Sequence, residues 1–257
     1  MGGWGRYNGV EVIIKTTIII VASLAFTAVG AYAYVYELDR SFPTPGPNPR
    51  GCWGGGGFPL YIVQDGAAPI VYRVSQSGQV LSSFPCPGGP GAWGIALYKY
   101  NYFYITNHET SWFYQTTTGS LISSFLGPLP NPADLCNRFY DYLYVAYPHQ
   151  NLIGLINPTT GSLLSTLAGP GTEPTACGPN SGAWFIADAG THAVYEYGVP
   201  VVTGIGAPTG FDSLEIGRGP WTEEFYVVDD ATDRVLVYSN VTAVEPASLG
   251  RVKALYR

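Results

Sequence analysis

Trp184-Phe-Ile-Ala-Asp188 is a short apolar run ending on a carboxylate, and a second run, Val194-Tyr-Glu196, starts six residues after it ends. Short runs of aromatic and β-branched residues around a Gly-Thr turn read as the two strands of a hairpin. The pair recurs as Leu60-Tyr-Ile-Val-Gln64 with Ile70-Val-Tyr-Arg73, and as Phe103-Tyr-Ile-Thr-Asn107 with Phe113-Tyr-Gln115. It returns as Leu143-Tyr-Val-Ala-Tyr147 with Ile153-Gly-Leu155, and as Phe225-Tyr-Val-Val-Asp229 with Val235-Leu-Val237. The first strands end at 64, 107, 147, 188 and 229, giving periods of 43, 40, 41 and 41. So regular a spacing is an internal repeat.

A further strand follows each of the first four pairs: Gln79–Phe84, Ser120–Phe125, Ser162–Leu167 and Val201–Ile205. Gly78, Gly119 and Gly161 stand before the first three, where a tight hairpin needs a positive φ. Pro/Gly stretches come next, such as Pro85–Pro90 and Gly169–Pro174, and then a short strand such as Trp93–Leu97 leads into the following pair. Four short strands per repeat of about 40 residues is the pattern of a β-propeller blade. The expected fold is all-β, a propeller of five four-stranded blades. Tyr34–Phe42 supplies the outer strand of the last blade, because Phe42 lies 42 residues before Phe84 and so is in phase. The alternative gives that place to Thr242–Val244 and yields a sixth, incomplete blade.

Composition agrees with this. The chain has 257 residues, 46% apolar and only 12% charged, with 33 Gly, 21 Pro and 20 Tyr. That suits many tight turns and strands, and excludes a charged disordered chain. A net charge of −6 argues against a nucleic-acid partner, which requires a basic patch.

Arg6 and Lys15 precede an uncharged run, Thr16–Tyr36, containing Ala31-Tyr32-Ala33. A basic flank, an apolar stretch and a small-x-small site read as a signal peptide over 1–33; an uncleaved membrane anchor is the other reading. The expectation is a secreted, periplasmic or cell-surface propeller over 34–240, without a membrane span after cleavage. Residues 241–257 form a tail in which Leu249, Val252, Leu255 and Tyr256 allow a short amphipathic helix.

Trp184-Phe-Ile-Ala-Asp-Ala-Gly-Thr-His-Ala-Val-Tyr-Glu-Tyr197 resembles the repeat unit of NHL- and YVTN-type propellers. The linkers Ser41-Phe-Pro-Thr-Pro-Gly46 and Ser83-Phe-Pro-Cys-Pro-Gly88 are similar to those of secreted bacterial propellers built from such repeats. The resemblance implies the fold; propellers host lyases, hydrolases, lectins and scaffolds, so it does not choose an activity.

Four cysteines in an exported chain imply disulfides. Cys136 and Cys177 each lie seven residues before a second strand, in neighbouring blades, so Cys136–Cys177 and Cys52–Cys86 are the expected pairs, with four buried thiols as the alternative. No CxxC motif or Cys/His pairing indicates a metal site.

The hairpins between second and third strands and the linkers between blades share one face, and all three histidines, His108, His149 and His192, fall in those hairpins. Trp112, Asp229, Asp230 and Asp233 complete the candidate ligand face. Asp229 matches Asp188 and Asn107 in the repeat, which favours an Asx turn. Asp229–Asp233 lacks the alternating acids and Gly of a calcium loop, so no cofactor is expected, with Ca²⁺ or a transition metal as the minor alternatives. The expected function is a binding or scaffold module for a protein or glycan, with self-association as a further use of its uncharged surface. The alternative is a lyase or hydrolase using a metal or those histidines.

Overall fold

The computed structural model describes residues 36–54, 59–98, 102–138, 142–180, 183–196, 198–214 and 224–240. The expected signal peptide (1–33) and tail (241–257) lie outside the described residues, as does the alternative outer strand Thr242–Val244.

Twenty strands among these residues form five four-stranded antiparallel sheets. The chain enters on β1 (Tyr36–Pro43) and then builds the first blade from β2 (Pro49–Trp53), β3 (Leu60–Gln64), β4 (Ile70–Val74) and β5 (Val80–Pro85). The second blade is β6 (Ala92–Tyr98), β7 (Tyr102–Asn107), β8 (Trp112–Thr116) and β9 (Leu121–Leu126). The third is β10 (Leu135–Arg138), β11 (Tyr142–Tyr147), β12 (Leu152–Ile156) and β13 (Leu163–Ala168). The fourth is β14 (Pro174–Asn180), β15 (Ala183–Asp188), β16 (Ala193–Glu196) and β17 (Val199–Thr203). The fifth takes β18 (Pro208–Leu214), β19 (Glu224–Asp229) and β20 (Arg234–Asn240), with β1 as its outer strand.

β1 pairs with β20 from Tyr36 opposite Asn240 to Pro43 opposite Arg234, with a bulge between Leu38 and Arg40. The two ends of the described chain therefore share one sheet, and the ring is a five-bladed β-propeller. A sixth blade would need the slot on β20 that β1 fills.

Each of the five core clusters lies between neighbouring blades. Phe185, Phe211 and Phe225, all essentially buried, join the fourth blade to the fifth. Burying each such ring contributes roughly 1.5–3 kcal/mol. The in-phase Phe42, Phe84 and Phe125 have a specific job. Each packs on the glycine of the next blade's third-to-fourth-strand turn, where an added Cβ would lie 2.6 Å from Phe42 at Gly78, 3.2 Å from Phe84 at Gly119 and 2.8 Å from Phe125 at Gly161. Those glycines also carry φ of 84°, 98° and 71°, so sequence, turn and blade packing agree.

The cysteines correct the expected Cys52–Cys86 pair and show no bond at Cys136–Cys177. All four are buried thiols. Cys52 packs in the cluster between the fifth and first blades, and Cys86 in the cluster between the first and second, on the other side of the first sheet. A bond between them would have to pass through that sheet. Cys136 and Cys177 do face each other, with sulfurs 3.4 Å apart, well beyond a bond of about 2.05 Å. They meet because they are not at equivalent positions. Cys136 pairs with Tyr144, three residues before the end of β11, whereas Cys177 pairs with Ile186, two before the end of β15. One step of register turns the side chain to the opposite face, so one points forward around the ring and the other back.

Candidate functional site

The inner strands set the site. Pro49 pairs with Gln64, Ala92 with Asn107, Pro174 with Asp188 and Pro208 with Asp229, so the next residues, Arg50, Trp93, Thr175 and Thr209, are equivalent. Thr175 Oγ1 donates to Pro208 O and Thr209 Oγ1 to Pro49 O, tying blade to blade around the axis. Arg50 and Trp93 put large side chains where these threonines stand.

One step further in, the equivalent residues are Gly51, Gly94, Ala176 and Gly210, and in the third blade Asp134. Its carboxylate lies on the axis, fully buried. Oδ1 accepts from Ile95 N–H at 3.2 Å and Leu135 N–H at 2.9 Å, and Oδ2 from Phe211 N–H at 3.0 Å. A Cβ on Gly51 would meet Asp134 Oδ1, and one on Gly210 would meet Arg50 O at 2.4 Å. Backbone and one carboxylate thus close the axis at this level, and the site is a face rather than a tunnel. Asp134 is committed to holding the ring.

On that face a set of side chains runs across four blades. Asp230 Oδ2 accepts from Arg50 Nη1 at 2.7 Å, both side chains being about one-quarter exposed or less. The Arg50 guanidinium carbon stands 4.6 Å from the centroid of Trp93, whose Nε1–H donates to Thr209 O at 3.1 Å. Arg50 Nε is buried without a hydrogen-bond partner. The ring of His108 lies 4.5 Å from that of Trp93, and His149 is 5.7 Å from His108 with the rings at 86°. His108 Nδ1 is 3.1 Å from Pro132 O and donates to it, which leaves Nε2 with its lone pair. Burial pushes the His108 pKa down, assisted by the charges of His149 and Arg50 and opposed by the bond to Pro132. Burial also raises the Asp230 pKa, against the pull of Arg50. His149 is exposed, carried by the short 3₁₀ turn Pro148–Gln150.

The remaining sequence candidates do other work. Asp229 Oδ1 accepts from Ala207 N–H and Ala231 N–H, and Oδ2 from Thr232 Oγ1, fastening its hairpin to the linker. Asp188 does the same through Thr191 and Glu173, and Asn107 through Thr110 and Pro90. Asp233, at φ 51°, accepts from Asn48 N–H. His192 is turned away, with Nδ1 at 2.6 Å from Gly206 O and 3.1 Å from Ile205 O. Trp112, 37% exposed, stacks on Tyr114 at 6.5 Å. The structure therefore brings together His108, His149 and Asp230, leaves out His192, Asp229, Asp233 and Trp112, and adds Arg50 and Trp93. Aligning the inner strands reveals the last two, because the equivalent positions elsewhere are Thr175 and Thr209. Among the described residues no three His, Cys, Asp or Glu converge as a metal site, and no helix is long and apolar enough to cross a membrane.

No family model matches the chain, and no curated protein matches its sequence. Solved propellers match its fold. Glutaminyl cyclase from Myxococcus xanthus is similar over 81% of this chain and 98% of its own, with a TM-score of 0.61 and 14% identity. An inactivated virginiamycin B lyase from Staphylococcus aureus, crystallised with quinupristin, is similar over 78% of this chain and 69% of its own, at 18% identity and a TM-score of 0.48. The WD40 propeller domain of Doa1 covers 73% of this chain and 62% of its own, at 14% identity and a TM-score of 0.49. At 14% identity the likeness to the glutaminyl cyclase shows the fold alone.

Proposed function

We propose that this five-bladed propeller is an exported binding or scaffold module whose protein or glycan ligand seats on the hairpin-and-linker face over Trp93. The observation that carries this is the fixed, half-buried indole of Trp93, held from behind by Thr209 O and bearing the Arg50 guanidinium. Aromatic and Arg side chains of this kind anchor both sugars and protein partners. The test is a melt of the folded chain against a glycan panel and against proteins captured from its surroundings. A ligand at 100 times its Kd stabilises by about 2.7 kcal/mol, which is roughly 5–10 °C for a chain of this size. Trp93→Ala should abolish the shift; a shift that survives it removes the ligand from this site.

A second reading, a lyase or hydrolase, is favoured by one observation: the His108–His149 pair, in which Pro132 O is bonded by Nδ1 of His108 and not by its Nε2. Turnover that disappears in both His108→Gln and His149→Ala would establish it.

Export also exposes thiols to oxidants. Cys136 and Cys177 are the pair placed to respond. With a disulfide oxidant RSSR they would give one S–S bond and two RSH, joining the third blade to the fourth. Peptide mapping after treatment with oxidised glutathione should recover Cys136 linked to Cys177; links through Cys52 or Cys86 instead would refute the pairing.

A further inference from the structure

The contact between His108 and His149 has a geometry of its own. Their hairpins belong to consecutive blades, and the rings stand perpendicular, 5.7 Å apart between centroids. An imidazole nitrogen binds a first-row metal at about 2.0–2.1 Å, so its ring centre stands roughly 3.2 Å from the ion. Two rings on one tetrahedral ion then have centres roughly 5 Å apart. The observed centroid separation of 5.7 Å is close to that, and His149 is exposed.

The rest of the surroundings agrees. A metal-binding histidine usually donates its other N–H to a carbonyl or carboxylate, which fixes the tautomer and aims the lone pair. His108 Nδ1 makes such a bond to Pro132 O. Both donors are nitrogen, which suits Zn²⁺ or Cu²⁺ and disfavours Ca²⁺ and Mg²⁺, whose ligands are oxygens. Without a third His, Cys, Asp or Glu converging among the described residues, the remaining coordination positions belong to water or to the ligand.

We infer that His108 and His149 form an open two-imidazole site for a divalent transition metal, Zn²⁺ or Cu²⁺, at the edge of the Trp93 face. Its role in recognition rests on the reading of that face as a ligand surface; the binding of the ion does not. A bound metal there would offer its open positions to a donor atom of the docked partner, adding a coordination bond to the aromatic contact.

The test is titration of the full chain with ZnCl₂ and CuCl₂ near neutral pH, followed by calorimetry and tryptophan fluorescence. One ion should bind per chain, and His149→Ala and His108→Gln should each weaken it by about tenfold or more. His192→Ala should leave it unchanged. His149 is exposed, so its loss reports on coordination and not on folding. Cu²⁺ should quench fluorescence, and Trp93→Phe should remove much of that quench while calorimetric binding persists. Unchanged affinity and stoichiometry in the double His108→Gln/His149→Ala variant would overturn the inference, as would absence of binding in the unaltered chain. The two readings fail separately. Metal binding lost with the two histidines stands even if no glycan or protein shifts the melt. A ligand shift lost in Trp93→Ala stands even if neither ion binds.

Discussion

Replacing Asp134 by alanine takes away the acceptor of three backbone N–H groups, that of the adjacent Leu135 and those of Ile95 and Phe211, contributed by the second and fifth blades. Both bonds to other blades lie in the buried centre of the ring. Leaving one buried N–H unpaired costs about 1–3 kcal/mol, so the two groups from other blades alone give about 2–6 kcal/mol. A domain of this size loses roughly 2–4 °C of melting temperature per kcal/mol, and the variant should melt roughly 8–16 °C below the parent at the middle of that range. Asp134→Asn keeps the shape, but one carboxylate oxygen becomes an NH₂ group. If Oδ1 stays with Ile95 and Leu135, the amide faces Phe211 N–H donor to donor, so asparagine should also be destabilising. Asp134→Gly is the sharper variant. It restores the residue found at Gly51, Gly94 and Gly210, and a consensus argument expects it to stabilise. The hydrogen-bond argument expects a loss comparable to alanine. The assay is thermal unfolding by circular dichroism, with amide exchange at Ile95 and Phe211 as the local readout. An Asp134→Gly chain melting at or above the parent, with those two amides still protected, would refute the role of the carboxylate.

Other outcomes follow from the same close packing and buried charges. A methyl group on Gly210 would lie 2.4 Å from Arg50 O and 2.8 Å from Cys52 N, both backbone, so Gly210→Ala should cost about 1–3 kcal/mol or more through overpacking. Gly89, at φ 72° with open space around its Cβ position, should cost only about 1–2 kcal/mol on the same change, so the two melts should separate. His108 has a lowered pKa when folded, so the unfolded chain binds more protons as pH falls below the ordinary value of 6.5. Its contribution to stability is therefore whole above 6.5 and declines as pH drops from there toward the folded value. Urea unfolding at neutral and at mildly acid pH should show the decline, and His108→Gln should reduce it. Glu224, lowered by its bonds to Arg40, adds a loss at a lower pH, beginning near 4.5.

The fold was legible because the property that repeats is the one that packs. Alternating apolar positions on second and third strands face the neighbouring blade, so the interblade core imposes its period directly on the chain. The phase of Phe42 located the closing strand 193 residues from its partner Val235 in sequence, since the same phenylalanine must cover the same turn in each blade. Cys136 and Cys177 meet, but from non-equivalent positions, because three residues separate the paired Arg138 and Tyr142 and only two separate the paired Asn180 and Ala183. Counting residues from the next strand does not reveal that difference, and a single step decides which way a thiol points.

The site was less legible, for a reason built into the architecture. Neighbours on the face come from successive blades, so Arg50, Trp93, His149 and Asp230 share no local motif. The histidines illustrate this. Each histidine bonds the linker that leaves its own blade, but His108 directly follows β7 and reaches Pro132, next to the inner strand, whereas His192 stands at φ 55° at the end of its hairpin and bonds Ile205 and Gly206. Hairpin position, not residue type, decides which can serve a ligand. A repeat protein does supply an internal standard, since each blade shows what a position requires for packing alone. Residues that break the standard are then of two kinds. Asp134 breaks it while fully buried, with both carboxylate oxygens accepting backbone N–H groups, and serves the ring. Arg50 and Trp93 break it where side chains reach solvent, with Arg50 Nε still unpaired, and packing does not explain them. That asymmetry is the physical reason to look for the ligand above these two residues.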